Sequence, residues 1–570
     1  MKILGISNTK DSGACLIIDG KLIAAVNEER FNRKKLTREF PQNSIKWILK
    51  EFNLINKKID ALAFGMWKGI STDFLPDYID EIVENSSKHV TLKKIQEKYH
   101  GSATSDQDSF ENLKVGLKKM KLDKIPQYYC SHHLAHAYSA FCFSPFQNAL
   151  VITLDGRGDF QSGSVSLWKR GNEPTILRNE SELNSLGTFY GWITKFLGFT
   201  PDKHEGKITG LAAQGNPNRC IQIFRRILKT KNGKIKAEIG NFYAPYMKAK
   251  LPKLEKELRN FSKEDIAAAT QKIVEEIVTK YVKFYIKKTN ATNIALAGGI
   301  FANVLINMRI REIKEVKRLF VFPHMGDGGI SAGAAAYVSQ QFNEHVLPIH
   351  DAYLGPKFSS SECETQIKKS RLPYVKPKNF TKRIAELIDE GNVIGLFQGK
   401  MEYGPRALGN RSIIVRATDE KINKTLNKRL SRTEFMPFAP ITLEKYASKC
   451  YKNWNKDSPS SYYMTSCFFC TKEMKNKSPA VVHIDNTARP QIVSKSSNPI
   501  LSNILKEYHK ITNIPTLINT SFNLHEEPIV LNPKDGLKLL IKDGIDVLAI
   551  YPFIVFKKSS RLAGKRIFRY

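Results

Sequence analysis

His132 and His136 stand four residues apart in Ser131-His132-His133-Leu134-Ala135-His136-Ala137. On a helix the two imidazoles project from one face, close enough to share a metal ion. An isolated pair at this spacing is commonly two packed helix histidines, so the neighbouring residues decide the reading. Val151-Ile152-Thr153-Leu154 reads as a buried strand that ends in the acidic, glycine-rich Asp155-Gly156-Arg157-Gly158-Asp159 turn. A second strand, Leu319-Phe320-Val321-Phe322, ends in Pro323-His324-Met325-Gly326-Asp327-Gly328-Gly329, which offers Asp327 as a third metal ligand. Between them, Asn293 to Asn303 reads as a strand, the pair Gly298-Gly299 and a helix start. Such a turn lets backbone amides approach a phosphate, with the helix N-terminus adding partial positive charge. A metal beside strand-end phosphate loops is the chemistry of a nucleotide site.

Two further groups of residues suggest anion binding. Glu205-Gly206-Lys207-Ile208-Thr209-Gly210-Leu211-Ala212 combines glycines with a lysine, as a phosphate-contacting turn does. In the C-terminal part, Gly404-Pro405-Arg406-Ala407-Leu408-Gly409-Asn410-Arg411-Ser412, Thr487-Ala488-Arg489-Pro490 and Asn519-Thr520-Ser521-Phe522-Asn523 place arginines and asparagines on turns after strands. Forked guanidinium donors in that setting suit a small planar oxyanion.

The elements that must position these residues follow from hydrophobic periodicity. Residues 1–30 alternate like a hairpin, with turns at Asp11-Ser12-Gly13 and Asp19-Gly20. Glu28 to Lys35 is a charged stretch that a solvated loop would also explain, and residues 43–53 and 108–120 read as amphipathic surface helices. A long helix covers 263–287, and a small-residue helix runs from Ser331 to Tyr337. Three strand-end loops carrying Asp or Gly-Gly, repeated across two halves, suit a duplicated actin/Hsp70/sugar-kinase type of α/β nucleotide fold. A composition break near Gln340–Pro356 separates it from a second α/β domain, so the expected domains are 1–345 and 356–570.

At 570 residues two domains are expected. No apolar run reaches the roughly 18 residues of a membrane span. The N-terminus enters a strand without a signal-peptide core, so a cytoplasmic enzyme is the expectation. The eight scattered cysteines, including Cys467-Phe468-Phe469-Cys470 in an aromatic run, read as reduced buried thiols. Lys and Arg number 89 against 55 Asp and Glu, a formal charge of +34, which suits an anionic partner: phosphorylated small substrates or nucleic acid.

Taken in order, the hairpin Asp11-Ser12-Gly13-Ala14, Glu29-Arg30-Phe31, the His132–Ala137 segment, Glu205-Gly206-Lys207, Gly210-Leu211-Ala212, Leu296-Ala297-Gly298-Gly299 and the C-terminal motifs resemble one family. It is the carbamoyltransferase family that includes the antibiotic and nodulation-factor O-carbamoyltransferases, and Pro437-Phe438-Ala439-Pro440 also matches. The resemblance covers nearly the whole chain. It implies an N-terminal domain similar to the Kae1/TsaD group, an ASKHA fold with ATP and a divalent metal (iron in some members, Mg with ATP), and a C-terminal YrdC-like domain. It further implies that carbamoyl phosphate is cleaved, carbamate is adenylated with ATP, and the carbamoyl group passes to a hydroxyl of a sugar or natural product. The expected ATP contacts are Asp155, Gly156, Gly210, Gly298, Gly299 and Asn303, and the expected metal ligands His132, His136 and Asp327. Carbamoyl phosphate falls to Arg406, Arg411, Arg489, Asn519, Ser521 and Asn523, and catalytic roles to Asp11, Lys207, Arg406 and Arg489.

Three positions depart from the family pattern: Lys10 and Leu36 stand where members usually carry histidines, and Met436 where an arginine is common, with Arg429 or Arg432 close by to compensate. Alternative readings are the same chemistry on a hydroxylated base in DNA, a tRNA threonylcarbamoyl-type transferase, and a non-catalytic actin/Hsp70-type nucleotide-binding regulator.

Overall fold

The computed structural model describes residues 1–54, 58–66, 75–431, 438–457 and 459–558. Arg432, Met436, Pro437 and the basic tail beyond Lys558 lie outside the described residues. Two compact units divide the chain: Met1–Glu28 with Leu36–Ile349, and Glu29–Lys35 with the chain from His350 onward. The main division lies between Ile349 and His350. The charged stretch Glu29–Lys35, which a solvated loop would also explain, belongs to the second unit.

The first unit holds two five-stranded sheets. In the first, β1 (Lys2–Ser7), β2 (Gly13–Ile18) and β3 (Lys21–Asn27) form an antiparallel meander, and β4 (Ala61–Phe64) and β5 (Gln127–Tyr129) continue parallel to β1 in the order β3-β2-β1-β4-β5. The second sheet repeats the plan. β6 (Asn148–Gly158), β7 (Gln161–Lys169) and β8 (Thr175–Ser181) are antiparallel, and β9 (Asn293–Ala297) and β10 (Arg318–Val321) run parallel to β6, in the order β8-β7-β6-β9-β10. Identical order and orientation in both sheets is the duplication expected of an actin/Hsp70-type α/β fold.

The near-continuous apolar runs of β1, β4, β6 and β9 reflect sheets covered on both faces. Helices α1 (Gln42–Glu51), α2 (His89–Lys119), α3 (His132–Cys142), α4 (Leu186–Phe196), α5 (Glu205–Ala212), α6 (Lys263–Thr289), α7 (Val304–Arg311) and α8 (Ile330–Gln341) pack on them. Small residues let α8 close on its neighbours. A Cβ on Gly333 would stand 1.8 Å from the Ala135 carbonyl oxygen, and one on Gly5 would stand 2.2 Å from that of Ser331.

Three local expectations change. The helix expected at 108–120 is the end of α2, which begins at His89. Glu205-Gly206-Lys207 is no turn but the start of α5, whose Ile208 is buried beside α6, so packing overrides the low helix propensity of two glycines. Asp155-Gly156 is not a strand-end turn either. β6 continues to Gly158, and its pairing with β7 slips between Leu154 and Gly158. Such a bulge re-aims side chains.

The second unit is built on an eight-stranded mixed sheet. Its strands are β11 (Tyr374–Val375), β12 (Ile394–Phe397), β13 (Arg411–Arg416), β14 (Ala439–Leu443), β15 (Gln491–Val493), β16 (Thr516–Ser521), β17 (Val547–Ile550) and β18 (Phe553–Phe556), in the order β11-β18-β17-β12-β13-β16-β14-β15. Apolar cores lie on both faces. All eight cysteines are free and buried, as expected. Among the described residues no helix is long and apolar enough to cross a membrane.

Candidate active site and metal centre

Helix α3 begins at His132, one residue after Ser131, so both histidines of the pair sit in its first turns with their ring centroids 4.8 Å apart. The β6 bulge carries Asp155 to them: its Oδ2 lies 3.2 Å from His136 Nε2. Asp327, at the start of the 3-10 turn Asp327–Gly329 that opens α8, places Oδ1 3.7 Å from His132 Nε2 and 3.9 Å from His136 Nε2. One ligand atom from each of His132, His136, Asp155 and Asp327 falls within 4.8 Å of the others.

The surroundings fix these groups. The Asp159 carboxylate accepts the His132 amide at 2.7 Å, and His133, outside the cluster, pairs with Thr153 Oγ1 at 3.0 Å. Arg157 pins the bulge from behind, bonded to Asp106 on α2 at 2.6 Å and to buried Glu182 at 2.9 Å. Gly158 lies against His132, where a Cβ would stand 2.1 Å from Cγ. Gly158→Ala should therefore push the ring from its rotamer, costing about 1–3 kcal/mol. Reduced metal content with a lower melting temperature is the expected result.

The donor set fits a divalent transition metal. His132 Nε2 and both ring nitrogens of His136 are buried without hydrogen-bond partners, an arrangement costly unless a ligand satisfies it. Burial, then the neighbouring His136 and His133, holds His132 well below its usual pKa, so its imidazole is neutral and ready to ligate. Burial opposes ionisation of Asp155, but the adjacent His136 and His132 side chains and the Gly299 amide outweigh it and lower its pKa. Burial and the nearby Asp155 push Asp327 up to about 7.

Asp155 was expected at the nucleotide, and the structure places it in this cluster. It also holds the amides that were expected to face a phosphate: Gly156 N donates to Oδ1 at 2.6 Å and Gly299 N to Oδ2 at 2.9 Å. Gly298 N donates to the Met325 carbonyl at 2.6 Å. Gly298 has φ +103, and a Cβ there would stand 2.2 Å from the Leu154 carbonyl oxygen, so strand packing already requires a glycine. By contrast, a Cβ on Gly210 would meet nothing within 4 Å, and one on Gly156 only Met247 Cε at 4.0 Å. Asn303 caps α7 through Leu305 N and Ile306 N and donates to Gln271 Oε1 at 2.7 Å. Lys207 Nζ lies 5.6 Å from the Phe199 ring centroid.

Asp11 stands on the first hairpin in the left-handed region, φ 58. Next to it, Lys10 Nζ lies 3.2 Å from Asp202 Oδ1. Burial opposes the Lys10 charge, but Asp202, Asp327, Glu205 and Asp155 outweigh it and raise its pKa. Sequence reasoning missed Asn27 and His324, which pack at this hairpin; the histidine in Pro323-His324-Met325-Gly326-Asp327 was the available signal.

In the second unit, Glu402 organises the Gly404–Ser412 segment. Its Oε1 accepts the amides of Leu408 at 2.8 Å, Asn410 at 2.7 Å and Arg411 at 3.0 Å. Gln491 and Tyr353 both donate to the Leu408 carbonyl, and Asn519 Nδ2 donates to the Ala407 carbonyl and to Gln491 Oε1, each at 2.9 Å. Buried Arg30, from the Glu29–Lys35 segment, donates to the Gly404 carbonyl at 3.0 Å. Arg30→Ala should release the segment's first residue and weaken anion binding beside Arg406 more than stability, read as a raised KM for carbamoyl phosphate against a small change in melting temperature.

Arg406 and Arg489 come together here. Burial and the Arg489 charge hold the Arg406 guanidinium well below its usual value, and burial lowers that of Arg489. Arg489 has no hydrogen-bonding or ion-pair partner among the described residues. Asn519 Oδ1 is buried without one.

One expected carbamoyl-phosphate residue is engaged by the framework. Arg411 is fully buried, donates to the carbonyls of Gln398, Gly399, Asn410 and Pro356, and lies 3.7 Å over the Phe397 ring. Its donors hold the framework and leave it no forked contact for an anion. Arg411→Ala should lower stability by about 3 kcal/mol or more through unpaired carbonyls, measured as a fall in melting temperature. Asn523 Nδ2 closes a local turn on the Leu524 and Glu527 carbonyls. Ser521 ends β16 opposite Ser412.

Comparison with known proteins identifies the family. The family described as Carbamoyltransferase N-terminus matches residues 2–336, and Carbamoyltransferase C-terminus matches residues 385–557. An uncharacterized protein of Synechocystis is 31% identical, with 98% of this chain and 97% of the relative covered. Nodulation protein NolNO of Sinorhizobium fredii is 29% identical over 98% of this chain and 81% of its own length. Nodulation protein NolO of Bradyrhizobium diazoefficiens is 32% identical over 76% of this chain and 80% of its own. Matched in both of its units, the chain belongs to the carbamoyltransferase family.

Proposed function

We propose that this carbamoyltransferase is ATP-dependent: it cleaves carbamoyl phosphate in its second unit, forms carbamoyl-adenylate with ATP, and carbamoylates a hydroxyl of a sugar or other natural product. The observation that carries this reading is the His132–His136–Asp155–Asp327 cluster, bonded through Asp155 to the Gly156 and Gly299 turns. A divalent metal held by these four residues would supply positive charge to phosphoryl oxygens. The open space over Gly156 and Gly210 leaves room for the nucleotide, with Lys207 on the same helix as Gly210 to neutralise phosphate charge.

Arg406 and Arg489 bind carbamoyl phosphate, a small dianion that offsets the cost of two adjacent half-buried guanidinium groups. Asn519 Oδ1 accepts from its amide. In the first unit Asp11 takes the proton of the acceptor hydroxyl as its oxygen attacks the carbamoyl carbon.

The test is AMP formation by the purified protein, followed by chromatography with labelled ATP. AMP should appear only when carbamoyl phosphate and ATP are both present. AMP release independent of carbamoyl phosphate, or none at all, would reject the reading.

A further inference from the structure

His324 lies on the loop between β10 and α8, three residues before Asp327, and is only 3% exposed. Its Nε2 stands 2.9 Å from Asn27 Oδ1 and 3.4 Å from Asp11 Oδ2. The Asn27 orientation follows from its other bond: Nδ2 donates to the Asp11 backbone carbonyl at 2.8 Å, so the amide oxygen faces the ring. An amide oxygen only accepts, so His324 Nε2 carries a proton. That N–H sits between the Asn27 oxygen and the Asp11 carboxylate.

The ring is also held sterically. A Cβ on Gly328 would stand 2.2 Å from His324 Nε2 and 2.6 Å from Asn27 Nδ2, so the α8 turn closes directly on this pair. Across the hairpin, a Cβ on Gly13 would meet the Val26 carbonyl oxygen at 2.7 Å. Asn27 thus fixes the left-handed backbone of Asp11 while His324 contacts its carboxylate.

We propose that His324, oriented by Asn27, is the positioning residue for Asp11, aiming its carboxylate at the hydroxyl to be carbamoylated. The inference rests on the proposed function, in which Asp11 accepts the hydroxyl proton. In that step the hydroxyl oxygen bonds to the carbamoyl carbon and its proton passes to Asp11. The bond from the carbamoyl carbon to the AMP phosphate oxygen breaks, and its electron pair leaves with AMP. Only a nucleophile that must lose a proton as it attacks depends on the aim of the carboxylate.

Two simple probes separate these cases: water, which must lose a proton, and hydroxylamine, an uncharged amine that attacks without prior deprotonation and gives hydroxyurea. Carbamoyl-phosphate-dependent AMP release is measured with each for the full-length wild type, His324→Leu, Asp11→Asn and the double variant. His324→Leu should slow the water reaction by at least about tenfold, leave the hydroxylamine reaction within about twofold of wild type, and add no further loss to Asp11→Asn.

His324→Gln, which retains an N–H donor, should recover most of the water reaction. Should the leucine variant fail to fold, His324→Gln against His324→Met, of similar length with and without a donor, carries the same comparison. Additive losses in the double variant, or an equal fall with hydroxylamine, would overturn the positioning role while leaving the proposed function standing. No carbamoyl-phosphate-dependent AMP from the wild type with either probe would overturn both.

Discussion

Replacing His136 by alanine is expected to strip the protein of stoichiometric metal and of carbamoyl transfer together. His136 is fully buried, 3.2 Å from Asp155 and 3.9 Å from Asp327, so it stands between the two carboxylates. Removing groups that merely orient a ligand costs 10–100-fold in metal affinity, so losing a ligand should exceed about 100-fold. Elemental analysis after gel filtration reads the outcome, and full metal retention would refute the assignment.

The same centre has a pH signature. In the metal-free protein burial and Asp155 raise Asp327 to about 7, so below that pH a bound metal must displace its proton. Affinity should fall by about tenfold per pH unit below about 7. Stability of the metal-free protein has the opposite sign. Asp327 titrates at about 7 folded against about 3.9 unfolded, so its contribution is complete below the lower value and is lost as pH rises through the upper one. His136→Ala should abolish the pH-dependent metal uptake.

Periodicity made much of this legible. The i, i+4 histidines reveal their shared face because a helix has one repeat, and Asp327 is recognisable because a strand must end before its glycine-rich turn. The duplication showed through repeated strand–glycine junctions, and the structure completes it with two sheets of identical order.

What stayed hidden depended on long-range pairing. Asp155 reaches the histidines because β6 slips against β7 across Leu154–Gly158, and an Asp-Gly-Arg-Gly run reads equally well as the turn that ends a strand. Glu205-Gly206-Lys207 has the composition of a turn, and only packing beside α6 makes it helical. Arg30 looks solvated in a charged run, yet it is 5% exposed because the Gly404 carbonyl, 374 residues away, accepts from it. Arg411 and Arg406 share one motif, and sequence cannot distinguish the arginine that holds the backbone carbonyls from the one that stands beside Arg489.

Arg406→Ala is expected to abolish carbamoyl-phosphate-dependent AMP formation while leaving metal content unchanged. Each charged hydrogen bond to the phosphate is worth about 1.5–3 kcal/mol, so one guanidinium making two such bonds accounts for about 100-fold or more in binding. The paired substitution at Arg489 separates binding from stability. Among the described residues no carboxylate pairs with Arg489, and its charge lowers the pKa of Arg406. In the free protein the two half-buried cations therefore oppose folding, and neutralising one relieves both desolvation and repulsion. Arg489→Leu should raise the melting temperature of the free protein even as it abolishes activity. Carbamoyl phosphate should raise the melting temperature of the wild type and leave that of Arg489→Leu unmoved. A destabilised Arg489→Leu, or one still stabilised by carbamoyl phosphate, would show that this guanidinium belongs to the framework, as Arg411 does, and not to the anion site.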